Sequence, residues 1–277
     1  MKRRTFLKTL ILGSGAFWLN ASNIFATRPD KDSIKILMIY NNIGSTNNLV
    51  NDWGLSLWVE DTDTAVMFDT GADPAILWGN LETSGVDLQK LSTIVISHNH
   101  WDHINGLPVI LEKSARRPKI FVPNVDLEEI KSKNPNAQVI GVNKPVEITQ
   151  HMWSTGQLKG FFRGEPIYEQ SLTIFQNNSS FLFTGCSHPG IIKIVEKTRK
   201  LFPNNDLKLV GGGFHLMNSS KEDIKTISTR LKQLEVRNLA PSHCTGDLAV
   251  DIFKEEWGTQ FINFNNGDNT NLRPSPG

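Results

Sequence analysis

The chain has 277 residues, of which 39% are hydrophobic and 21% are charged, and its formal net charge at pH 7 is +1. This composition fits a folded protein of one large or two small domains and excludes a disordered chain. Residues 1–26 hold four basic side chains and no acidic one, so the remaining chain has 25 basic and 28 acidic side chains, a net charge of −3. This balance gives no electrostatic reason to expect a nucleic acid as a partner.

The amino-terminal segment predicts an export signal. Lys2-Arg3-Arg4-Thr5-Phe6-Leu7-Lys8 precedes an apolar stretch over residues 10–19 and then small residues, which is the three-part plan of a secretory signal. The paired arginines resemble the twin-arginine class. We expect residues 1–26 to be removed and residues 27–277 to form a periplasmic domain without stable membrane insertion. The alternative is a retained membrane anchor, because Ile24 stands where cleavage sites prefer a small residue.

Apolar runs separated by turn residues predict that strands and helices alternate along the rest of the chain. Predicted strands cover residues 34–40, 54–60, 65–68, 91–96, 119–122, 139–142, 146–149, 171–175, 180–183, 207–210 and 238–240. Predicted helices cover residues 75–83, 104–111, 191–201, 221–234 and 247–256. Pro108 requires the second of these helices to begin at residue 108 or later. The alternation predicts a single layered α/β domain in which two sheets lie between helices.

Four metal-binding side chains follow one predicted strand, within Ser97-His98-Asn99-His100-Trp101-Asp102-His103. His98 and His100 are two residues apart, so an extended segment places both on one face, with Cα atoms about 6.5 Å apart. Asp102 and His103 then start a turn and point elsewhere. This division predicts two neighbouring metal ions, one bound by each pair, because borderline ions such as zinc take imidazole and carboxylate ligands together. The alternative is a polar loop that happens to be rich in histidine.

Six of the seven histidines follow an apolar, strand-like run. They are His98, His100, His103, His188, His215 and His243, and His151 is the exception. Where strands run parallel, their ends meet at one edge of a sheet, and loops at such edges form concave polar sites. The distribution therefore predicts that these six side chains meet at a metal centre.

Four further positions have competing interpretations. Asp69 either caps the following helix or accepts a hydrogen bond that orients a ligand imidazole. His215 is a core residue, a ligand or, as we favour, the proton donor to a leaving group. Cys186 and Cys244 are expected to be thiols near the metals, although an oxidising compartment favours a disulfide.

The order of these residues resembles the metallo-β-lactamase-fold hydrolases through nearly all of the chain after the export signal. The resemblance lies in Phe68-Asp69-Thr70-Gly71, then His98-x-His100-x-Asp102-His103, then donors at later strand ends. Within this superfamily, residues 184–190, 212–216 and 241–246 look like the branch of dihydropterin–ribofuranosylaminobenzene phosphate synthase-like proteins. The resemblance implies an αββα sandwich with a binuclear metal site between the sheets.

The resemblance also implies a ligand set. According to the resemblance, His98 and His100 bind the first metal, whereas Asp102 and His103 bind the second. His243 completes the second site. The third ligand of the first metal is the position where this sequence departs from the superfamily.

The superfamily usually offers another histidine and, in a later motif, a bridging carboxylate or cysteine. Phe183-Thr184-Gly185-Cys186 looks like that later motif, and the segment before it contains no histidine except the distant His151. We therefore expect His188 to replace the missing histidine and Cys186 to stand where the carboxylate would be.

Together these features predict a metal-dependent hydrolase with two divalent ions, zinc in preference to manganese or iron. The expected substrate is a small molecule with an ester, lactone or phosphoester bond, and the expected catalytic side chains are Asp102 and His215. One alternative is a synthase of the dihydropterin–ribofuranosylaminobenzene phosphate type, which an export signal disfavours. Another is a periplasmic metal-binding protein that has no turnover.

Overall fold

The computed structural model describes residues 34–44 and 46–272 of the chain. The predicted export signal lies outside these residues. Within the described part of the chain, every helix is too short or too polar to cross a membrane.

In the described residues, fifteen strands form two large sheets and one hairpin. The strands are β1 (Ile34–Asn41), β2 (Leu55–Glu60), β3 (Ala65–Phe68), β4 (Leu91–Val95), β5 (Lys119–Pro123), β6 (Val139–Val142), β7 (Val146–Thr149), β8 (Met152–Ser154), β9 (Leu158–Phe162), β10 (Glu165–Glu169), β11 (Leu172–Gln176), β12 (Ser179–Thr184), β13 (Asp206–Gly213), β14 (Leu239–Ser242) and β15 (Asn269–Leu272). The first sheet has the order β15-β1-β2-β3-β4-β5-β6, and the second has the order β14-β13-β12-β11-β8-β7. Among the strands that the structure describes, β9 and β10 pair only with each other.

Parallel pairing brings several strand ends to a common edge in each sheet. In the first sheet, β3, β4, β5 and β6 run parallel. In the second sheet, β12, β13 and β14 run parallel. Residues that follow the carboxyl ends of these strands therefore gather at one edge of their sheet.

Helices cover the outer face of each sheet. They are α1 (Pro74–Ser84), α2 (Trp101–Ile104), α3 (Leu107–Lys113), α4 (Leu127–Lys133), α5 (Ile191–Leu201), α6 (Lys221–Gln233) and α7 (Asp247–Trp257). Apolar side chains of α1, α3 and α4 pack on the first sheet. Those of α5, α6 and α7 pack on the second. The order of layers is thus helix, sheet, sheet, helix.

Strand β1 shows how the sequence produces these layers. Ile34, Ile36 and Met38 point into the core between the two sheets. Leu37 and Ile39 point the other way, into the core beneath the helices. Side chains alternate between the two faces of a strand, so an uninterrupted apolar run gives a strand that is buried on both sides.

The αββα sandwich and the single α/β domain predicted from the sequence are confirmed. One element was wrong in detail: residues 104–111 do not form one helix, because α2 ends at Ile104 and α3 begins at Leu107. Pro108 lies in the first turn of α3, where its missing N–H would have no helical partner. Asp102 and His103 consequently lie on the short helix α2 and not in a turn.

Candidate metal centre

The six histidines that the sequence singles out lie together at the strand ends. His98, His100 and His103 follow β4, and His188, His215 and His243 follow β12, β13 and β14. Neighbouring rings have centroids 4.2 to 5.0 Å apart. His151 lines a separate cavity beside Asp61 and Gln176. The two sheets therefore bring their histidines to one place, as the pattern of strand ends predicts.

A first group of metal-binding atoms combines His98 and His100 with His188 of the second sheet. One nitrogen from each ring lies within 4.8 Å of the others, and Nε2 of His98 lies 3.0 Å from Nδ1 of His100. Both ring nitrogens of His188 are buried and have no hydrogen-bond partner among the described residues. Burial, and then the neighbouring His215, lower the pKa of His188 to about 3. The ring is therefore neutral, which is the form that binds a metal ion.

A second group combines Asp102 and His103 with His243, again with ligand atoms within 4.8 Å of one another. Oδ2 of Asp102 lies 3.3 Å from Nε2 of His243 and 3.8 Å from Nε2 of His103. Burial would raise the pKa of Asp102, but the hydrogen bond with His243 and the neighbouring imidazoles hold this pKa below its ordinary value. The carboxylate is therefore ionised and available as a ligand. Each pair predicted from the sequence gains its third member from the second sheet.

Asp69 holds one of these imidazoles in place. Its carboxylate accepts hydrogen bonds from the backbone N–H of Ser97 at 2.6 Å and the Ser97 hydroxyl at 2.7 Å, and it lies 2.6 Å from Nδ1 of His103. Burial lowers the pKa of His103, but the charge of Asp69 outweighs it and raises that pKa to about 9. With Nδ1 bonded to Asp69, Nε2 of His103 faces the metal centre. The cap of helix α1 is Asp73 and not Asp69.

Two contacts to the second group were missing from the sequence interpretation. Oδ1 of Asn42 lies 2.9 Å from Nδ1 of His243. The indole N–H of Trp53 donates a hydrogen bond of 2.8 Å to Asp102. Asn42 directly follows β1, so the strand-end rule used for the histidines could have found it, whereas no comparable signal marks Trp53.

Cys186 lies between the two groups. Its Sγ atom is 3.3 Å from Nε2 of His103. This sulfur lies close enough to share a metal ion with His98 and His103, and also close enough to share one with His188 and His215. Cys186 and Cys244 are both buried free thiols, in accord with the preference for thiols over a disulfide. A sulfur in this position can reach an ion in either group.

His215 lies at the solvent side of the centre, with its ring centroid 4.4 Å from that of His188. A hydrogen bond with Cys244 raises the pKa of His215, so the ring holds a proton more readily than a free imidazole. The ring is exposed and lies beside the ligand groups.

A cavity of about 530 Å³ opens onto these residues. Its walls include Trp53, Trp101, Phe161, Phe162, Arg163 and Met217. The side chains of Trp101 and Phe161 are 56% and 61% exposed, which is unusual for large hydrophobic groups. The cavity has the size of sites that bind small molecules.

Two adjacent buried polar residues, the last residue of β10 and the one after it, together contact both ligand loops. The carboxylate of Glu169 accepts backbone hydrogen bonds from Cys186, Ser187 and His188. Burial raises the pKa of Glu169 to about 7, although these backbone N–H groups act in the opposite direction. Gln170 bonds to the segment before His98. Neither residue was singled out from the sequence.

Backbone conformation at the centre is unusual. Asp69, Ser187, His215 and His243 all have positive φ angles, between 50° and 63°. Side chains other than glycine rarely adopt this conformation, and such residues cluster at functional sites because the surrounding structure must hold them there.

The donor set fits divalent metal ions. The imidazole, carboxylate and thiol groups are ligands that zinc and other borderline ions prefer. The orphaned nitrogens of His188 are the sharpest indication, because buried polar atoms normally have partners. Residues His98, His100 and His188 would hold one ion, and Asp102, His103 and His243 would hold the other.

Comparison with known proteins places the chain among related folds. The family described as the metallo-beta-lactamase superfamily matches residues 54–243. A 7,8-dihydropterin-6-methyl-4-(beta-D-ribofuranosyl)-aminobenzene-5'-phosphate synthase of Methanocaldococcus jannaschii is 26% identical, over 83% of this chain and 94% of its own length. An uncharacterised protein of the same organism is 28% identical, over 71% of this chain and 85% of its own length.

Solved structures give the same fold. The crystal structure of Tm1679, described as a metal-dependent hydrolase of the beta-lactamase superfamily, superposes with a TM-score of 0.72 and 27% identity, and it covers 88% of this chain and 100% of its own. The metallo-beta-lactamase fold protein YhfI of Bacillus subtilis superposes with a TM-score of 0.62 and 16% identity, over 87% of this chain and 100% of its own.

Proposed function

The chain belongs to the metallo-β-lactamase superfamily, and on that basis we propose that it is a hydrolase with two divalent metal ions, zinc in preference to manganese or iron. Its substrate is a small molecule with an ester, lactone or phosphoester bond. The observation that carries the proposal is the pair of three-ligand groups side by side at the base of one cavity.

In the proposed reaction, different residues hold the metals, orient their ligands and line the substrate cavity. Metal ions held by the two groups would supply an activated water and would polarise the attacked carbonyl or phosphoryl group. Asp69 and Asn42 orient His103 and His243 by binding their Nδ1 atoms, which leaves Nε2 of each ring for the metal. The aromatic walls of the cavity remove bulk water from around the substrate, and this strengthens the electrostatic interactions there.

His215 is the proposed proton donor to the leaving group. It lines the cavity beside His188, and its raised pKa favours the protonated ring. A positioned general acid typically contributes about 10²- to 10⁴-fold to the rate. Because His215 is absent from both of the proposed ligand groups, its replacement should lower the rate without removing a metal ion.

Two other functions compete with this proposal. The 26% identity with a named synthase, over 83% of the chain, supports a synthase reaction on the same metal centre. The richness of the donor set also fits a periplasmic metal-binding protein without turnover. The open cavity beside the metals favours an enzyme over a binding protein, because a storage site needs no space for a substrate.

The test combines metal analysis with a substrate panel. The mature protein is loaded with zinc, manganese or iron, and its metal content is measured by elemental analysis. We expect close to two equivalents of metal and hydrolysis of at least one phosphodiester, lactone or β-lactam substrate. Protein stripped with a chelator is the control. A protein that binds no metal after loading contradicts the proposal, and one that binds two ions but hydrolyses nothing favours the alternatives.

We further propose that the protein acts in the periplasm after export by the twin-arginine route. The support is the order of charged, apolar and small residues in the first 26 positions. This route carries folded proteins, so the metals would be loaded before export.

A further inference from the structure

Glu169 and Gln170 connect the two loops that supply the first ligand group. Glu169 is the last residue of β10, and Gln170 precedes β11. Their relative exposures are 1% and 0%. Two adjacent, fully buried polar side chains are costly unless each makes specific hydrogen bonds.

Glu169 holds the loop of the second sheet. Oε1 accepts hydrogen bonds from the backbone N–H groups of Cys186 at 3.0 Å and Ser187 at 2.8 Å. Oε2 accepts one from the N–H of His188 at 2.8 Å. Three consecutive N–H groups thus converge on one carboxylate, in the manner of a backbone anion nest. The φ angle of 63° at Ser187 turns the backbone so that all three can point the same way.

Gln170 holds the loop of the first sheet. Its backbone N–H donates to the carbonyl of Ser97 at 2.9 Å. Its side-chain amide donates to the carbonyls of Ile96 at 2.8 Å and Phe121 at 3.1 Å. Ile96 and Ser97 are the two residues immediately before His98. Gln170 therefore fixes where the strand β4 delivers the first two histidines.

Close backbone packing reinforces the arrangement. A Cβ atom on Gly160, in the partner strand β9, would lie 2.4 Å from the carbonyl carbon of His188. The hairpin that ends in Glu169 is therefore seated directly on the backbone of the His188 loop. Any shift of this hairpin must displace His188 as well.

We propose that Glu169 and Gln170 are positioning residues that fix the distance between the His98–His100 loop and the Cys186–His188 loop. They thereby set the geometry of the first metal group. This inference rests on the proposed metal centre. The three ligands assigned to the second group, Asp102, His103 and His243, lie outside the Cys186–His188 loop, and Asp69 and Asn42 hold two of them directly. The two groups should therefore respond differently when Glu169 is changed.

The first experiment replaces Glu169 with glutamine. The glutamine oxygen can serve Cys186 and Ser187, but its NH₂ group then faces the N–H of His188, and two donors cannot bond each other. In the metal-free protein, we expect amide hydrogen exchange to become faster at residues 186–188 and to stay unchanged at residues 97–103. In cobalt(II) titrations, we expect the affinity of the first group to fall about 10- to 100-fold and that of the second to be unchanged.

Three further variants sharpen the test. Glu165→Gln makes the same chemical change at an exposed position of the same hairpin, and it should alter neither exchange nor affinity. Glu169→Asp keeps the charge but is one methylene shorter, so it should also release His188, which covers the case in which Glu169→Gln does not fold. Gln170→Met removes the side-chain donors to Ile96 and Phe121, and it should speed exchange at residues 96–98 and weaken the first group.

The outcomes separate this inference from the proposed function. Unchanged exchange at residues 186–188 in both Glu169 variants overturns the inference, and so does an equal loss of cobalt affinity in the two groups, which indicates a general structural role. If the wild-type protein binds no cobalt, the proposed function fails, and hydrogen exchange still decides whether Glu169 positions the loop. If cobalt binds as expected but no substrate is hydrolysed, only the hydrolase assignment is refuted.

Discussion

Replacement of Asp69 with asparagine should weaken the second metal group more than the first. Oδ1 of Asp69 accepts from the Ser97 N–H, and Oδ2 lies within 2.7 Å of the Ser97 hydroxyl and Nδ1 of His103. If the asparagine oxygen keeps the bond to the Ser97 N–H, its NH₂ group faces His103. The ring must then accept at Nδ1 and carry its proton on Nε2, which is the atom needed by the metal.

The opposite orientation of the asparagine is no better. It places the NH₂ group 2.6 Å from the backbone N–H of Ser97, where two donors meet in a site with no access to water. Loss of such an orienting contact typically lowers metal affinity about 10- to 100-fold, or about 1.4 to 2.7 kcal/mol. We expect this loss in the group of Asp102, His103 and His243. The first group should lose less affinity, because Asp69 reaches it only through the Ser97 hydroxyl, which lies 2.9 Å from Nδ1 of His98.

Competition with a chromogenic chelator measures both affinities in one titration. Asp73→Asn is the matched control, because Asp73 caps helix α1 and asparagine caps helices as well as aspartate does. That variant should bind both ions with wild-type affinity. The reasoning is refuted if Asp69→Asn keeps the wild-type affinity at both groups, or if the two groups weaken equally.

Three other changes have defined outcomes. His188→Ala leaves two ligands in the first group, fewer than the three that catalytic zinc sites keep, so elemental analysis should fall from about two equivalents to about one; if only Cys186→Ser loses metal, the ligand is the thiolate. Changing both Arg3 and Arg4 to lysine should retain the protein in the cytoplasm on cell fractionation, and normal periplasmic accumulation would count against the export signal. Burial raises the pKa of Asp126 from 3.8 to about 6. Ionisation of this carboxylate therefore destabilises the fold, and the destabilisation is nearly absent at pH 3.5 and reaches its full size above about pH 6. With allowance for the partly exposed side chain, Asp126→Asn should increase the free energy of unfolding at pH 7.5 by about 1 kcal/mol, which corresponds to a rise in Tm of roughly 2 to 4 °C. An equal rise in Tm at pH 3.5 would disprove the electrostatic cause.

The gathering of the histidines was predictable because they follow strong local patterns. His98 and His100 come directly after a β-branched run, and His215 and His243 also follow apolar strands. Parallel strands deliver the residues after their carboxyl ends to a common edge, so position along the chain translated into position in space. The same reasoning placed His188 beside the first pair, although the roles of all these residues remain predictions.

The supporting residues were not predictable because their contacts depend on how the two sheets face each other. Asn42 and His243 are 201 positions apart, and no periodicity in either segment records that they meet. Strand β15 was not predicted either, because its sequence Asn-Thr-Asn-Leu has no apolar alternation. This strand pairs with β1 through backbone hydrogen bonds. Local patterns determine which face of an element is buried, whereas long-range contacts decide which loops touch.

The pairing of β15 with β1 has a consequence for biosynthesis. Ile34 of β1 pairs with Leu272 of β15. The edge of β1 therefore stays uncovered during synthesis until nearly the whole chain has left the ribosome. Pairing across so long a separation closes late in folding, and an open strand edge is a template for association with other chains. A chain that stops before Asn269 would leave β1 as an edge strand. Such a product should aggregate during expression even though every proposed metal ligand is present in it.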